Sequence, residues 1–196
     1  MKEGQTGDLI RRIRLEKSLT QKQLAAALHL SDRTISKWER GLGLPDTALL
    51  PELSRMLGVP AERILEGTLS PNEQDGGNMK RTRFYRCPLC GNLLTSTGEA
   101  EISCCGRKLT ALTPQPADAT HRFQTEIIDD EWYLRSAHPM TKEHYLTFAA
   151  WVEMGRVLLI RLYPEQDGAV RLPVMRGGKL YFGCSRDGLF AQELPR

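Results

Sequence analysis

Four cysteines carry the strongest chemical signal in this chain. Cys87 and Cys90 lie in Tyr85-Arg86-Cys87-Pro88-Leu89-Cys90-Gly91-Asn92, and the adjacent Cys104 and Cys105 lie in Ile102-Ser103-Cys104-Cys105-Gly106. Two pairs of thiolates so grouped can close a tetrahedral metal site, and four sulfur donors suit iron and zinc equally. The neighbouring pair imposes a condition. Successive side chains of an extended strand point to opposite faces, so both sulfurs reach one ion only where the chain bends. A vicinal disulfide between Cys104 and Cys105, or free buried thiols, is the competing reading. The segment from Phe84 to Leu112 is too short for much of a core, and a bound metal would supply the missing stability.

The chain has 196 residues, of which 40% are hydrophobic and 26% charged, enough for two or three soluble modules. The longest apolar runs, Leu24 to Leu28 and Phe148 to Val152, fall far short of a membrane span. No export signal is visible at the N-terminus, so a cytoplasmic protein without a membrane partner is expected. In that compartment Cys-x2-Cys favours metal or redox chemistry over a structural disulfide. The formal net charge is only +3, so any nucleic-acid binding rests on where charge is placed.

Residues 7 to 66 have helical periodicity. Ile10, Ile13 and Lys17 share one face of a first helix, and Arg11, Arg12 and Arg14 read as an ordinary solvated face. Thr20 with Gln23 forms a capping box for a second helix whose inner face is Leu24, Ala25 and Leu28. His29-Leu30-Ser31 makes a turn. Ser31 caps a third helix from about Asp32 to Arg40, anchored inward by Ile35 and Trp38 and stopped by Gly41. A fourth helix covers Thr47 to Leu57, and a last short one runs from Pro60 to about Leu65. Two short helices with a tight turn, the second polar on one side, make a DNA-binding shape.

This segment resembles the Xre/Cro/phage-repressor family of helix-turn-helix proteins. The resemblance is carried by Leu19-Thr20-Gln21-Lys22-Gln23-Leu24-Ala25, by Leu30-Ser31-Asp32-Arg33-Thr34-Ile35-Ser36-Lys37-Trp38-Glu39-Arg40-Gly41, and by Leu53-Ser54-Arg55-Met56-Leu57-Gly58-Val59. His29 departs from the family's usual glycine, and histidine tolerates a left-handed conformation better than most residues. The resemblance implies that Asp32, Arg33, Ser36 and Lys37 face base edges of double-stranded DNA. Gln21 and Arg40 are placed for phosphates, and Ser31 at the helix N-terminus counts with the DNA-binding set. It also implies a homodimer on paired half-sites. A helical bundle used for protein contacts is the bland alternative.

Gly67 to Asn78, with Pro71, Asn72, Gln74, Asp75, Gly76 and Gly77, reads as flexible linker. Lys80, Arg81, Arg83 and Arg86 follow, either as a phosphate-touching patch or as a solubilising stretch. The expected boundaries are 1–68 for the helix-turn-helix domain, 69–83 for the linker, 84–113 for the four-cysteine module and 114–196 for the last module. That last part reads as short strands: Arg122–Ile127, Trp132–Arg135, Tyr145–Glu153, Arg156–Tyr163, Ala169–Pro173 and Lys179–Cys184. Such spacing suggests a β-sandwich.

The segments Cys87-Pro88-Leu89-Cys90-Gly91-Asn92 and Cys104-Cys105-Gly106 resemble desulforedoxin, a small module with iron held by four cysteines; the spacer here is slightly shorter. His138-Pro139-Met140-Thr141-Lys142-Glu143-His144-Tyr145 resembles the ligand loop of the superoxide reductases. Those have an immunoglobulin-like sandwich, with iron held by four histidines and one cysteine. The family's Cys-Asn-x-His-Gly stands here as Cys184-Ser185-Arg186-Asp187-Gly188. Desulfoferrodoxins join the two modules in the same order. The resemblance implies His121, His138, His144 and Cys184 as ligands of a second non-haem iron. Asp187 stands where the last histidine should be, and Ala119-Thr120 where the family has Glu-Lys, which puts reductase activity in doubt.

The expected architecture is multidomain α + β. It comprises an all-α helix-turn-helix domain, a small four-cysteine metal module and an immunoglobulin-like β-sandwich. The expected function is a DNA-binding transcriptional regulator with a metal-containing, redox-sensing C-terminal region, with superoxide or another oxidant as signal. The alternatives are a superoxide reductase carrying a DNA-binding domain, and a scaffold in which zinc is purely structural.

Overall fold

A computed structural model describes residues 3–74, 76–174 and 177–195. Met1, Lys2 and Asp75 of the expected linker lie outside the described residues. The chain divides into two compact units, one up to Pro71 and one from Asn72 onward. The first is helical and the second is built of strands, as the expected α + β class requires.

In the first unit α1 (Glu3–Glu16), α2 (Gln21–Ala27) and α3 (Asp32–Glu39) precede a 3-10 turn at Thr47–Leu49, α4 (Leu50–Leu57) and α5 (Ala61–Glu66). The Thr20–Gln23 capping box is formed in full, with the Thr20 N–H donating to Gln23 Oε1 at 2.8 Å. Ser31 Oγ accepts from the Thr34 N–H at 3.2 Å at the start of α3. His29 adopts the left-handed turn with φ of 55°. Leu9, Ile10, Ile13, Leu24, Ile35, Trp38, Leu53 and Ile64 are buried together in one core. A Cβ on Gly7 would overlap the Trp38 carbonyl, so α1 and α3 approach as closely as they do only because residue 7 lacks a side chain.

The expected faces of α1 need correction at two positions, Lys17 on the Ile10–Ile13 face and Arg14 on the solvated one. Lys17 lies beyond the end of α1 and is exposed. Arg14 is buried, at 6% relative exposure. Its guanidinium forks onto Glu39, with Nε donating to Oε1 at 2.6 Å and Nη2 to Oε2 at 3.0 Å, while Nη1 donates to the Leu19 carbonyl at 2.6 Å. Gln21 Nε2 donates to the same Glu39 carboxylate at 2.7 Å. Burial alone would push the Glu39 carboxyl up. The hydrogen bonds from Arg14 and Gln21 more than reverse this and hold it below the ordinary carboxylate value. Three helices are thereby pinned by one bidentate ion pair.

The second unit holds two small hairpins and a sandwich. β1 (Arg83–Arg86) pairs with β2 (Leu93–Ser96), and β3 (Ile102–Cys104) with β4 (Arg107–Leu109). The sandwich has a five-stranded sheet in the order β5-β12-β11-β8-β9 and a three-stranded sheet in the order β10-β7-β6. Its strands are β5 (Pro114–Pro116), β6 (Phe123–Ile128), β7 (Glu131–Ser136), β8 (Leu146–Val152), β9 (Val157–Arg161), β10 (Ala169–Pro173), β11 (Lys179–Cys184) and β12 (Gly188–Gln192). Phe123, Leu134, Trp151, Leu172, Phe182 and Phe190 fill the space between the sheets. β8 is buried at every position. Its second face carries Phe148, Ala150 and Val152, on which Phe84 of β1 packs, and the Phe84 and Phe148 rings stack at 5.3 Å. All six strands expected from the sequence are present within a residue or two. β5 and β12 are additions.

Glu39→Gln would leave the Arg14 guanidinium buried without its counter-charge. The expected cost is about 3–5 kcal/mol to the helical unit, read as a lower urea midpoint of the helical circular-dichroism signal. In the unaltered chain the Glu39 contribution is present above the ordinary carboxylate pKa. It is lost as pH falls through the lowered Glu39 value.

Candidate metal centres and DNA-facing surface

Six of the seven expected DNA-binding residues, Gln21, Asp32, Arg33, Ser36, Lys37 and Arg40, line one depression of about 410 Å³ on the helical unit. Ser31 is spent on capping α3. The Gln21 amide is spent on Glu39. Arg33 and Lys37 extend from α3 without a salt-bridge partner among the described residues.

The four cysteines converge from two hairpins. After β1, the Gly91 N–H donates to the Cys87 carbonyl at 3.0 Å and the Cys87 N–H to the Asn92 carbonyl at 2.9 Å, wrapping the chain around the first pair. Between β3 and β4 the loop is Cys105-Gly106, with φ of 51° and 73°. Two successive positive φ values are what a two-residue type I′ hairpin demands. This is the bend that the adjacent pair needs: Cys104 ends a strand while Cys105 sits in the turn. Cys90 Sγ and Cys104 Sγ are 3.6 Å apart, and Cys104 Sγ and Cys105 Sγ 3.9 Å. The latter is almost twice the roughly 2.05 Å of a disulfide, and all five cysteines are free. All four sulfurs lie within 4.8 Å of one another. The backbone N–H of Cys90 pulls the Cys87 thiol down to about 6, whereas hydrogen bonding with Cys90 pushes Cys105 up to about 12. The thiols thus share protons that a metal would displace, and capture should strengthen with rising pH.

The second cluster forms at one end of the sandwich. Cys184 ends β11, His121 precedes β6, and His138 and His144 lie in the loop between β7 and β8. The β8–β11 register slips here, with Gly183 opposite Phe148 but Cys184 opposite Leu146. Strict alternation would put Leu146 and Ala149 on opposite faces. The slip lets both join the sandwich core under Cys184. A Cβ on Gly183 would strike the Phe148 ring and Thr147 Oγ1, so this close approach requires glycine.

Each histidine is oriented by a partner. His138 Nδ1 donates to the Pro139 carbonyl at 2.6 Å, which leaves Nε2 buried with no hydrogen-bond partner. His121 Nδ1 lies 2.8 Å from Asp118 Oδ1, and its Nε2 lies 3.2 Å from Asp187 Oδ2. A neutral imidazole has one N–H for these two carboxylates, and a cation between Nε2 and Asp187 resolves the mismatch. His144 Nε2 lies 3.0 Å from Asp187 Oδ2, and the Cys184 thiol donates to the same oxygen at 3.2 Å. Burial pushes the Cys184 thiol up and the His138 imidazole down. Asp187 is held low, first by the Cys184 thiol and then by His144 and His121. The donor atoms of His121, His138, His144, Cys184 and Asp187 all fall within 4.8 Å of one another. An orphaned buried nitrogen and a mixed nitrogen, sulfur and oxygen set suit a first-row transition metal.

The structure brings every sequence-expected ligand together. Sequence reasoning missed Asp118, which also accepts the backbone N–H of Thr120 and of His121. Its place three residues before His121 was the available signal. It also missed Arg86 as a link between the centres. Directly before Cys87, Arg86 donates through Nη1 to the carbonyl of Ser185, directly after Cys184, at 3.2 Å.

Comparison with known proteins matches this geometry. Residues 10–64 fit the family described as Helix-turn-helix. The HTH-type transcriptional activator BcrR of Enterococcus faecalis is 36% identical over 80 residues, 39% of either chain. The desulfoferrodoxin of Syntrophotalea carbinolica is 25% identical over 123 residues, 58% of this chain and 98% of that one. The crystal structure of the superoxide reductase from Treponema pallidum superposes with a TM-score of 0.50 at 19% identity, over 57% of this chain and 98% of that one, which shows a shared fold. The similarities are of two kinds along the chain. A helical segment that matches the helix-turn-helix model precedes a region similar in sequence to desulfoferrodoxin and in fold to a superoxide reductase.

Asp118→Asn should lower metal affinity at the sandwich cluster by about 10–100-fold and leave the four-cysteine site unchanged. Competition with a chromogenic chelator reads both. With two donor clusters, metal per chain after anaerobic loading should fall by half in Cys184→Ala.

Proposed function

We propose that the protein is a DNA-binding transcriptional regulator whose metal-holding C-terminal region controls the helix-turn-helix domain. The observation that carries this reading is the pairing, on one chain, of a DNA-type surface on α3 with two converging metal-donor sets. Asp32, Arg33, Ser36 and Lys37 read base edges, Arg33 being suited to two-atom contact with guanine. Arg40 and the backbone of Gln21 at the start of α2 hold phosphates and set the register, and Ser31 serves the surface by capping α3. Two copies bind paired half-sites, in the cytoplasm where the DNA is.

The four-cysteine site holds iron or zinc, and the sandwich site holds a second non-haem iron. Cys90 and Cys105 are exposed, so an oxidant such as superoxide reaches their sulfurs directly. Metal loss there returns protons to the thiols and removes the cross-link between the two hairpins. The catalytic reading, superoxide reduction, is supported by the convergence of five donors. The anionic Asp187 and the missing lysine near Thr120 weigh against it, since both reduce attraction for an anion. No acceleration of superoxide decay on rapid mixing with reduced protein would leave the regulator alone.

The test uses duplexes selected from random-sequence DNA by the full-length protein. Arg33→Ala should cost about 1–3 kcal/mol on the selected sequence and much less on unrelated DNA. Oxidised protein should bind about 5–150-fold differently from reduced protein by fluorescence anisotropy. Equal affinities in the two states would remove redox control and leave DNA recognition standing.

A further inference from the structure

The sandwich cluster contains one member that does not behave like the rest. His121, His138 and Cys184 are buried, and His144 is partly so, with its side chain 24% exposed. The Asp187 side chain is 45% exposed. Four donors therefore line the protein side of the cluster, and Asp187 stands on the solvent side. It does not point away. Its Oδ2 lies 3.0 Å from His144 Nε2, 3.2 Å from His121 Nε2 and 3.2 Å from Cys184 Sγ.

We propose that Asp187 is a resident ligand that closes the sandwich metal site to outside anions. The proposal rests on the reading that this site holds a metal. Neutral imidazoles bring no charge, while the Cys184 thiolate and the Asp187 carboxylate bring one negative charge each. A divalent cation held by this set is electrically neutral, and a neutral centre offers an incoming anion no net attraction. The carboxylate is also the most exposed of the five donors, so an anion arriving from solvent meets a negative charge first. The nearest cationic side chain on the loop is already engaged: Arg186 donates to the Glu143 carboxylate at 3.2 Å through Nη2 and to the Glu143 carbonyl at 3.3 Å through Nε. The loop is tied in place by Ser185, whose N–H donates to the Tyr145 carbonyl at 2.9 Å and whose Oγ accepts from the Tyr145 N–H at 3.1 Å.

A charge-neutral metal site with a resident carboxylate on its exposed side suits retention of a divalent transition cation rather than turnover of an anionic substrate. The signal at this site is then the presence of the metal, or its loss of an electron, and not an anion bound to it.

The test loads the full-length protein anaerobically with cobalt(II), whose visible bands separate a four-sulfur site from a mixed nitrogen and sulfur site. Azide, a small anion, is then titrated. The unaltered protein should show both sets of bands, and the mixed-donor bands should not move with azide. Asp187→Ala should bind cobalt(II) about 10–100-fold more weakly at that site and shift its bands with azide. If Asp187→Ala keeps the four-sulfur bands but holds no second cobalt, Asp187 is a required ligand and closure is judged on the unaltered protein alone. The proposal is overturned if the unaltered protein shifts with azide, if it shows no mixed-donor bands, or if Asp187→Ala keeps full affinity and ignores azide. None of these outcomes depends on DNA binding, so the regulator reading stands or falls separately.

Discussion

Burial of β8 on both faces is the constraint on which the second unit depends. A strand in a two-layer sandwich ordinarily has one wet face, and β8 has none. Its inner face holds the two sheets together through Ala149 and Trp151, and its outer face receives Phe84 through Phe148. Both donor sets hang from this arrangement. Cys87 lies three residues beyond Phe84, Cys184 sits opposite Leu146 at the β8–β11 slip, and His144 enters β8 two residues before Leu146. Full burial of a phenylalanine such as Phe148 is worth about 1.5–3 kcal/mol, and here the same contact also sets where the ligands stand.

The two clusters solve the problem of grouped donors differently. In the four-cysteine site like groups crowd together, and the sulfurs relieve the crowding by sharing protons, with Cys87 low and Cys105 high. In the sandwich site unlike groups alternate. Asp118 faces one nitrogen of His121 and Asp187 the other, and Asp187 also gathers His144 and Cys184. The first cluster waits for a cation to replace protons, and the second already sets imidazole nitrogens and a thiol against two carboxylates. Arg86 joins them by holding the Ser185 carbonyl from the residue beside Cys87.

The helices, their caps and six strands were legible because each rests on a local pattern: the Thr20–Gln23 box, Ser31 before α3, and alternation in β6, β7 and β10. The ligand residues were legible because cysteine and histidine are few. What escaped was non-local. Arg14 looks like any helix-surface arginine until Glu39, 25 residues away, folds against it. Gly7 shows no turn signal, since its purpose is to admit the Trp38 backbone. β12 is buried at Leu189, Phe190 and Ala191 and so does not alternate, and β5 carries two prolines, a composition that argues against a strand except at a sheet edge. Asp187 was visible as a departure from a motif, but its grip on three donors needed the loop in place.

The shortness of α3 has a consequence for information. Eight residues span about 12 Å of helix axis. At about 3.4 Å per base pair, that lies along three or four base pairs. With the Gln21 amide committed to Glu39, base reading on the proposed surface falls to the side chains of α3 alone. A four-base-pair word recurs by chance about every 256 base pairs, far too often to address one site among the roughly million or more competitors of a genome. Two such words at a fixed spacing recur about every 65,000 base pairs. A joint between two copies that let the spacing vary would multiply those chance matches by the number of spacings it allowed, so its rigidity would be part of the address.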